Sequence, residues 1–204
     1  MLAAVLYVPR LFSSYRTWIF MKENDMNKKL DKKRNTDFYL LYTAAFLAVA
    51  LALYLRFFTN GKSLVWSHDG VPQHLNSLAY YGRYLRQVLY TLFIEHKLSL
   101  PLWDMHIGYG SDILTTLHYY VIGDPLTLLA VFVPESKTET LYAFLIFLRI
   151  YLAGIAFSRY SFYHKNSKQA TFMGTMIYIF AGWTIYAAMK HPYLSLIHIS
   201  EPTR

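Results

Sequence analysis

Three apolar runs constrain this chain more than any other feature: residues 38–58, 140–158 and 170–189, each with at most one charged side chain. A helix rises 1.5 Å per residue, so about twenty residues cover the roughly 30 Å of bilayer hydrocarbon. Lipid offers backbone N–H and C=O groups no partner, so a run of this kind crosses as a helix. The expected fold class is therefore all-α: a polytopic membrane protein with three transmembrane helices and a helical extracytoplasmic segment between the first and second. Composition agrees. Charged residues make up 16% of the 204, against roughly 25% in soluble domains, and the mean hydropathy is +0.22.

The net charge of +8 does not form one basic patch. It sits beside the apolar runs, which argues for membrane orientation and against nucleic-acid binding. Residues 21–37 are lysine-rich, and the short segment 159–169 carries Arg159, Lys165 and Lys168. Both are expected in the cytoplasm. Two crossings separate them, so the assignments agree, and residues 59–139 fall outside the cell. The expected location is the plasma membrane, with a cytoplasmic N-terminus. The chain has no cysteine, which excludes disulfides and zinc–thiolate sites.

Three regions are expected along the chain: 1–37, a cytoplasmic N-terminal segment; 38–193, the membrane domain; and 194–204, a tail. Residues 1–20 carry Arg10 and Arg16. They read either as an amphipathic surface helix or, preferably, as the product of a start codon taken too early, with Met21 and Met26 opening a more ordinary N-terminus. Leu194–Arg204 looks like the translation of an adapter used in sequencing libraries, joined in frame. On that reading the natural protein is interrupted near Tyr193 and further spans are missing, so this stretch alone is expected to be inactive. His198 and Glu201 would then carry no function.

Residues 59–139 gather five of the eight histidines and four of the seven prolines, and so hold the polar chemistry. Leu75, Leu78, Tyr81, Leu85, Val88 and Leu92 recur at three- and four-residue spacing. That spacing predicts an amphipathic helix with Arg83 and Arg86 off its apolar stripe. Leu126–Val133, closed in by Pro125 and Pro134, is too short to cross and reads as a re-entrant or interfacial helix.

The densest polar cluster is Ser67-His68-Asp69-Gly70-Val71-Pro72-Gln73-His74. Gly70 and Pro72 favour a tight turn that would hold Asp69 just above the bilayer. There an aspartate can take a proton from a hydroxyl or help hold a divalent cation. Its plainer role is to cap the helix that follows. His68 and His74 flank it, but their spacing matches no metal motif, and no metal site is assigned. Trp103–Gly110 is a second cluster, read as a turn with an interfacial tryptophan. Arg149 lies mid-span, where a guanidinium needs a lipid phosphate, an acidic side chain or a route to the interface.

Several features recur in one order: Asp69-Gly70 with Gln73, Pro101-Leu102-Trp103, Gly108-Tyr109-Gly110, Tyr119-Tyr120 with Asp124-Pro125-Leu126, and Tyr178 to Gly182. In this order, over about residues 38–193, the chain resembles the bacterial YfhO membrane-protein family. The resemblance implies a large polytopic glycosyltransferase with many more than three spans. It also implies an undecaprenyl-phosphate-linked sugar as donor and an envelope glycopolymer such as lipoteichoic acid as acceptor. Such enzymes carry an essential acidic residue in the first outer loop, here Asp69, and a basic residue in the second span, here Arg149. Gln73, Arg83, Arg86 and Arg149 are the expected substrate-binding residues, with the arginines on the donor phosphate, and a divalent cation is the candidate cofactor. Two other classes stay open: a transporter or lipid flippase, and an assembly subunit without chemistry of its own.

Overall fold

The structure, a computed structural model, describes residues 36–190. The expectations for the N-terminal segment up to residue 35 and for the tail 194–204 lie outside the described residues. The chain divides into two compact units, Met1–Val49 and Ala50–Arg204. The boundary falls inside the first long helix, α1 (Thr36–Thr59).

The N-terminal half of α1 belongs to the first unit. Leu40, Leu41 and Leu47 are exposed there, as suits a surface solvated by lipid, and Thr43 Oγ1 donates back to the Tyr39 carbonyl at 2.7 Å. The C-terminal half belongs to the second unit. Tyr54 meets Phe147 edge-on at 5.0 Å between ring centroids.

In the second unit the chain leaves α1 through a short turn whose Leu64 is fully buried. It then winds into a π-helical turn, Gly70–Leu75, that runs directly into α2 (Asn76–Phe93). Leu78, Tyr81 and Gly82 form the buried face of α2; the stripe read from spacing is packed at Leu78 and Tyr81, half-buried at Leu75, Leu85 and Val88, and exposed at Leu92. An extended stretch leads to a two-residue antiparallel ladder, β1 (Trp103–Asp104) with β2 (Ser111–Asp112). The loop between them closes through Gly110 at φ +105°, where a side chain would also meet Met105 Sδ at 2.9 Å. This ladder is the one departure from an all-α fold among the described residues.

After α3 (Ile113–Leu117) and a π-helical turn, His118–Ile122, comes the segment expected to be re-entrant. It is a 3-10 helix, Pro125–Phe132. Runs this long are uncommon for 3-10 geometry, and this one is held at both ends. Asp124 Oδ1 accepts the Leu126 N–H at its N-terminus (2.9 Å). Arg86 Nη1 donates to the Ala130 and Val133 carbonyls at its C-terminus (2.9 and 2.8 Å). Its Ala130 lies against Gly82 of α2, where any Cβ would meet the Ala130 carbonyl at 2.9 Å.

The second span is α4 (Thr138–Tyr163), 26 residues long. It packs on α5 (Lys168–Ile179) through small and hydroxylated residues. Gly154, Ser158, Ser161, Thr171 and Thr175 are buried, Ser161 and Thr171 share a hydrogen bond of 2.8 Å, and Phe157 stacks on Tyr178 at 4.9 Å. Close approach over small side chains is how helices associate without a hydrophobic driving force. The third apolar run is not one straight helix. α5 and α6 (Gly182–Lys190) meet at an angle of 49°. The break frees the Tyr178 carbonyl, and Thr184 Oγ1 donates to it at 2.7 Å. Such hydroxyls are what make a break tolerable at membrane depth.

Candidate functional site

Three polar clusters stand out: one at the turn that opens α2, one buried where Asp124 meets α4, and one along the middle of α2. The first is built by the π-helical turn. The Asp69 carbonyl accepts from both Gln73 N (3.0 Å) and His74 N (3.1 Å), the four- and five-residue closures that define such a turn. π-turns of this kind are frequent at functional sites. Gly70 is required by packing, since a Cβ there would meet Trp66 Cβ at 3.0 Å. The expected capping role of Asp69 is not what its carboxylate does: no side-chain cap bond forms. Instead Gln73 Nε2 donates to Asp69 Oδ1 (3.3 Å), and Tyr120 Oη donates to Gln73 Oε1 (2.8 Å). The amide thus bridges carboxylate and phenol, each end of it facing the only group it can satisfy. Asp69 Oδ2 makes no hydrogen bond among the described residues. Beside this bridge His74 is buried, with its ring edge-on to Tyr120 at 5.2 Å.

The buried cluster explains Arg149. Its Nε and Nη2 both donate to Asp124 Oδ2, at 2.9 and 2.5 Å, and both side chains are almost fully buried. Of the partners a mid-span guanidinium could find, the acidic side chain is the one it has. Arg149 was expected to hold a donor phosphate, but its charge is already spent on Asp124. Arg86 was expected to do the same and is instead committed to the two 3-10 carbonyls. Arg83 is exposed and pairs with Glu135 at 2.9 Å. It lies fourteen residues beyond Asp69, roughly 20 Å along the helix axis. The structure therefore brings Asp69 and Gln73 together and none of the three arginines to them.

The third cluster is legible only in part: Trp103–Gly110 reads as a turn and Arg83 as a phosphate contact, and nothing in the sequence joins them. Tyr80, Arg83, Tyr84 and Gln87 share one face of α2 by their three- and four-residue spacing. With Trp103 and Asp104 of β1 they line a cleft of about 520 Å³. Tyr80 Oη donates to Asp104 Oδ2 at 2.6 Å. The His106 N–H donates to Asp104 Oδ1, and His106 Nδ1 lies 2.8 Å from the same oxygen. These bonds, Tyr80's first, hold the Asp104 carboxyl down at about 2. Burial, then the bond to Asp104, pushes the Tyr80 phenol well above its ordinary value. An Asp-x-His step beside a polar stripe on the preceding helix was the available signal, but Tyr80 and Asp104 are 24 residues apart and nothing in the spacing pairs them. Among the described residues no three His, Asp or Glu side chains gather as a metal-ligand set.

Two apolar helices long enough to cross a bilayer, a bent apolar pair that makes a third span if its two halves cross together, and a polar helical segment between the first two define a polytopic helical membrane protein. The chain belongs to the bacterial membrane protein YfhO family, whose model matches residues 41–197. No curated protein and no solved structure matches it.

Proposed function

We propose that the protein is an integral-membrane glycosyltransferase of the bacterial cell membrane. It would take a sugar from an undecaprenyl-phosphate-linked donor and pass it to a hydroxyl of an envelope glycopolymer such as lipoteichoic acid, outside the cell. The N-terminus is then cytoplasmic, and residues 59–139 form the outer segment, from which Pro125–Phe132 re-enters the membrane beside α4. Asp69 is the general base. Its carboxylate takes the acceptor proton while the acceptor oxygen bonds to the anomeric carbon. The bond from that carbon to the lipid phosphate oxygen breaks, and the phosphate leaves with the electron pair.

The observation that carries this reading is the Asp69–Gln73–Tyr120 bridge. One carboxylate oxygen is fixed by the amide (3.3 Å) and the other is left open. A base must be oriented and still have a free lone pair within reach of the proton it abstracts. A divalent cation shared between Asp69 and the donor phosphate would lower the leaving-group barrier at the same place. A transporter or flippase places ionisable groups along a path at mid-bilayer, whereas the mid-span charge among the described residues, Arg149, is buried and paired with Asp124.

The test is transfer of radiolabelled sugar from undecaprenyl-phosphate donor in membrane vesicles carrying the full-length protein, wild type or Asp69→Asn. The variant should lose roughly 100-fold or more in rate while its thermal stability stays within about 0.5 kcal/mol. Transfer undiminished by Asp69→Asn would remove the base assignment. No transfer by the wild type, with lipid or sugar moved instead, would remove the activity.

A further inference from the structure

We propose that the cleft between α2 and β1 is a saccharide subsite that takes one neutral sugar ring. Its hydrogen-bonding inventory points to hydroxyl donors. Asp104 has about four acceptor positions. Two on Oδ1 go to His106 and one on Oδ2 to Tyr80, which leaves one on Oδ2. Tyr80 and Tyr84 have already given their protons, to Asp104 and to the Pro101 carbonyl (3.1 Å), so both phenol oxygens can only accept. Gln87, exposed on the same wall, adds one acceptor and two donors, and the N–H groups of Arg83 that do not face Glu135 add further donors. Fixed acceptors thus meet a few donors, the pattern a ring of hydroxyls completes.

Aromatic walls from Tyr80, Tyr84 and Trp103 supply the apolar face on which the C–H side of a sugar ring packs. A pocket of such walls with a few placed polar groups is the usual form of a small-molecule site. A phosphate fits poorly. It would face the Asp104 carboxylate, and the cleft's one arginine is already countered by Glu135 at 2.9 Å. The ordinary reading of Asp104, a brace for the loop, accounts for the two His106 contacts but not for a cleft of this size floored by acceptors.

Tyr80 stands eleven residues beyond Asp69, roughly 16 Å along the helix axis. The cleft is too far away to hold the reacting hydroxyl. It suits a ring elsewhere on the acceptor chain, held equally tightly before and during the transfer step. That this ring belongs to the acceptor rests on the transfer reading; that the cleft binds a sugar does not.

The experiment is saturation-transfer NMR on the intact protein in nanodiscs, with methyl glucoside, N-acetylglucosamine and glycerol 3-phosphate as probes. The two sugars should receive saturation and glycerol 3-phosphate should not. Asp104→Asn and Gln87→Ala should each weaken sugar binding by roughly tenfold. Gln87 is exposed, so its variant keeps the test decisive even if the loop variant misfolds. Sugar binding equal in wild type and Gln87→Ala, or capture of glycerol 3-phosphate in preference to both sugars, overturns the proposal and leaves the Asp69 reading as it was. Sugar binding lost in the variants of a protein that shows no transfer upholds the subsite and removes its assignment to an acceptor. In a protein that does transfer, Gln87→Ala should raise the acceptor KM about tenfold with kcat nearly unchanged, and an unaltered KM would remove the acceptor assignment.

Discussion

Asp124 and Asp69 are the same residue type in the same inter-span segment, and they do opposite things. Asp124 is sealed. One oxygen caps a 3-10 helix, the other takes two N–H bonds from Arg149, and water does not reach it. Asp69 is half-buried, held by one long bond, and keeps an oxygen open. The arginines divide in the same way: Arg149 and Arg86 are consumed inside the fold, while Arg83 sits on the surface with an exchangeable partner. A charged side chain becomes available for chemistry by what the fold leaves unpaired around it. Its type and its distance from a span say much less.

Removing half of the sealed pair should have the largest effect. Asp124→Ala leaves a buried guanidinium uncompensated, which costs about 3–5 kcal/mol, while removing both charges together is often nearly neutral. Thermal unfolding in detergent should therefore show a large loss for Asp124→Ala and a substantial recovery for Asp124→Ala with Arg149→Met. A single variant that melts like the wild type would mean the pair is open to water and the contrast with Asp69 is false. Arg86→Ala comes next. It strands the Ala130 and Val133 carbonyls, at about 1–3 kcal/mol, and should speed amide exchange in Pro125–Phe132 before it affects α4.

The contact between α2 and the loop responds to pH. Asp104 is held below its ordinary value, so its contribution is present above about pH 4 and is lost as pH falls through about 2. Tyr80 is raised above its ordinary value. Its contribution is therefore present below about pH 10 and is lost as pH rises beyond that. Trp103 fluorescence should hold steady between these limits, and Asp104→Asn should abolish the acid limb. Arg83→Gln should do least. Its pair with Glu135 is more than half exposed on both sides, and such pairs contribute about 0–1 kcal/mol, so an unchanged melting temperature is expected. A clear drop would move Arg83 to the sealed side of the comparison.

The spans were legible because twenty apolar residues admit few other fates in water or lipid. So was the buried stripe of α2, whose Leu78 and Tyr81 follow helical period. The 49° break between α5 and α6 was hidden, since Gly174 and Gly182 both fall in a run of otherwise helix-compatible residues and the chain bends at one of them. At the site, the turn at Asp69-Gly70 could be read from turn chemistry. The bridge to Tyr120 joins residues 47 positions apart, and the partner of Arg149 is 25 positions away. Pairings at that range are set by packing between elements, and periodicity carries no record of them.

The sealed pair also bears on how the protein is made. Arg149 lies eleven residues into α4, about 16 Å from its start and so near the middle of the hydrocarbon layer. A lone arginine at that depth opposes insertion by about 2.5–3.5 kcal/mol on insertion scales. Synthesis runs from the N-terminus, so Asp124 leaves the ribosome before Arg149. The counter-charge and its short helix are therefore already present when the second span enters the bilayer. Pairing with Asp124 during insertion would spare the arginine from facing lipid alone.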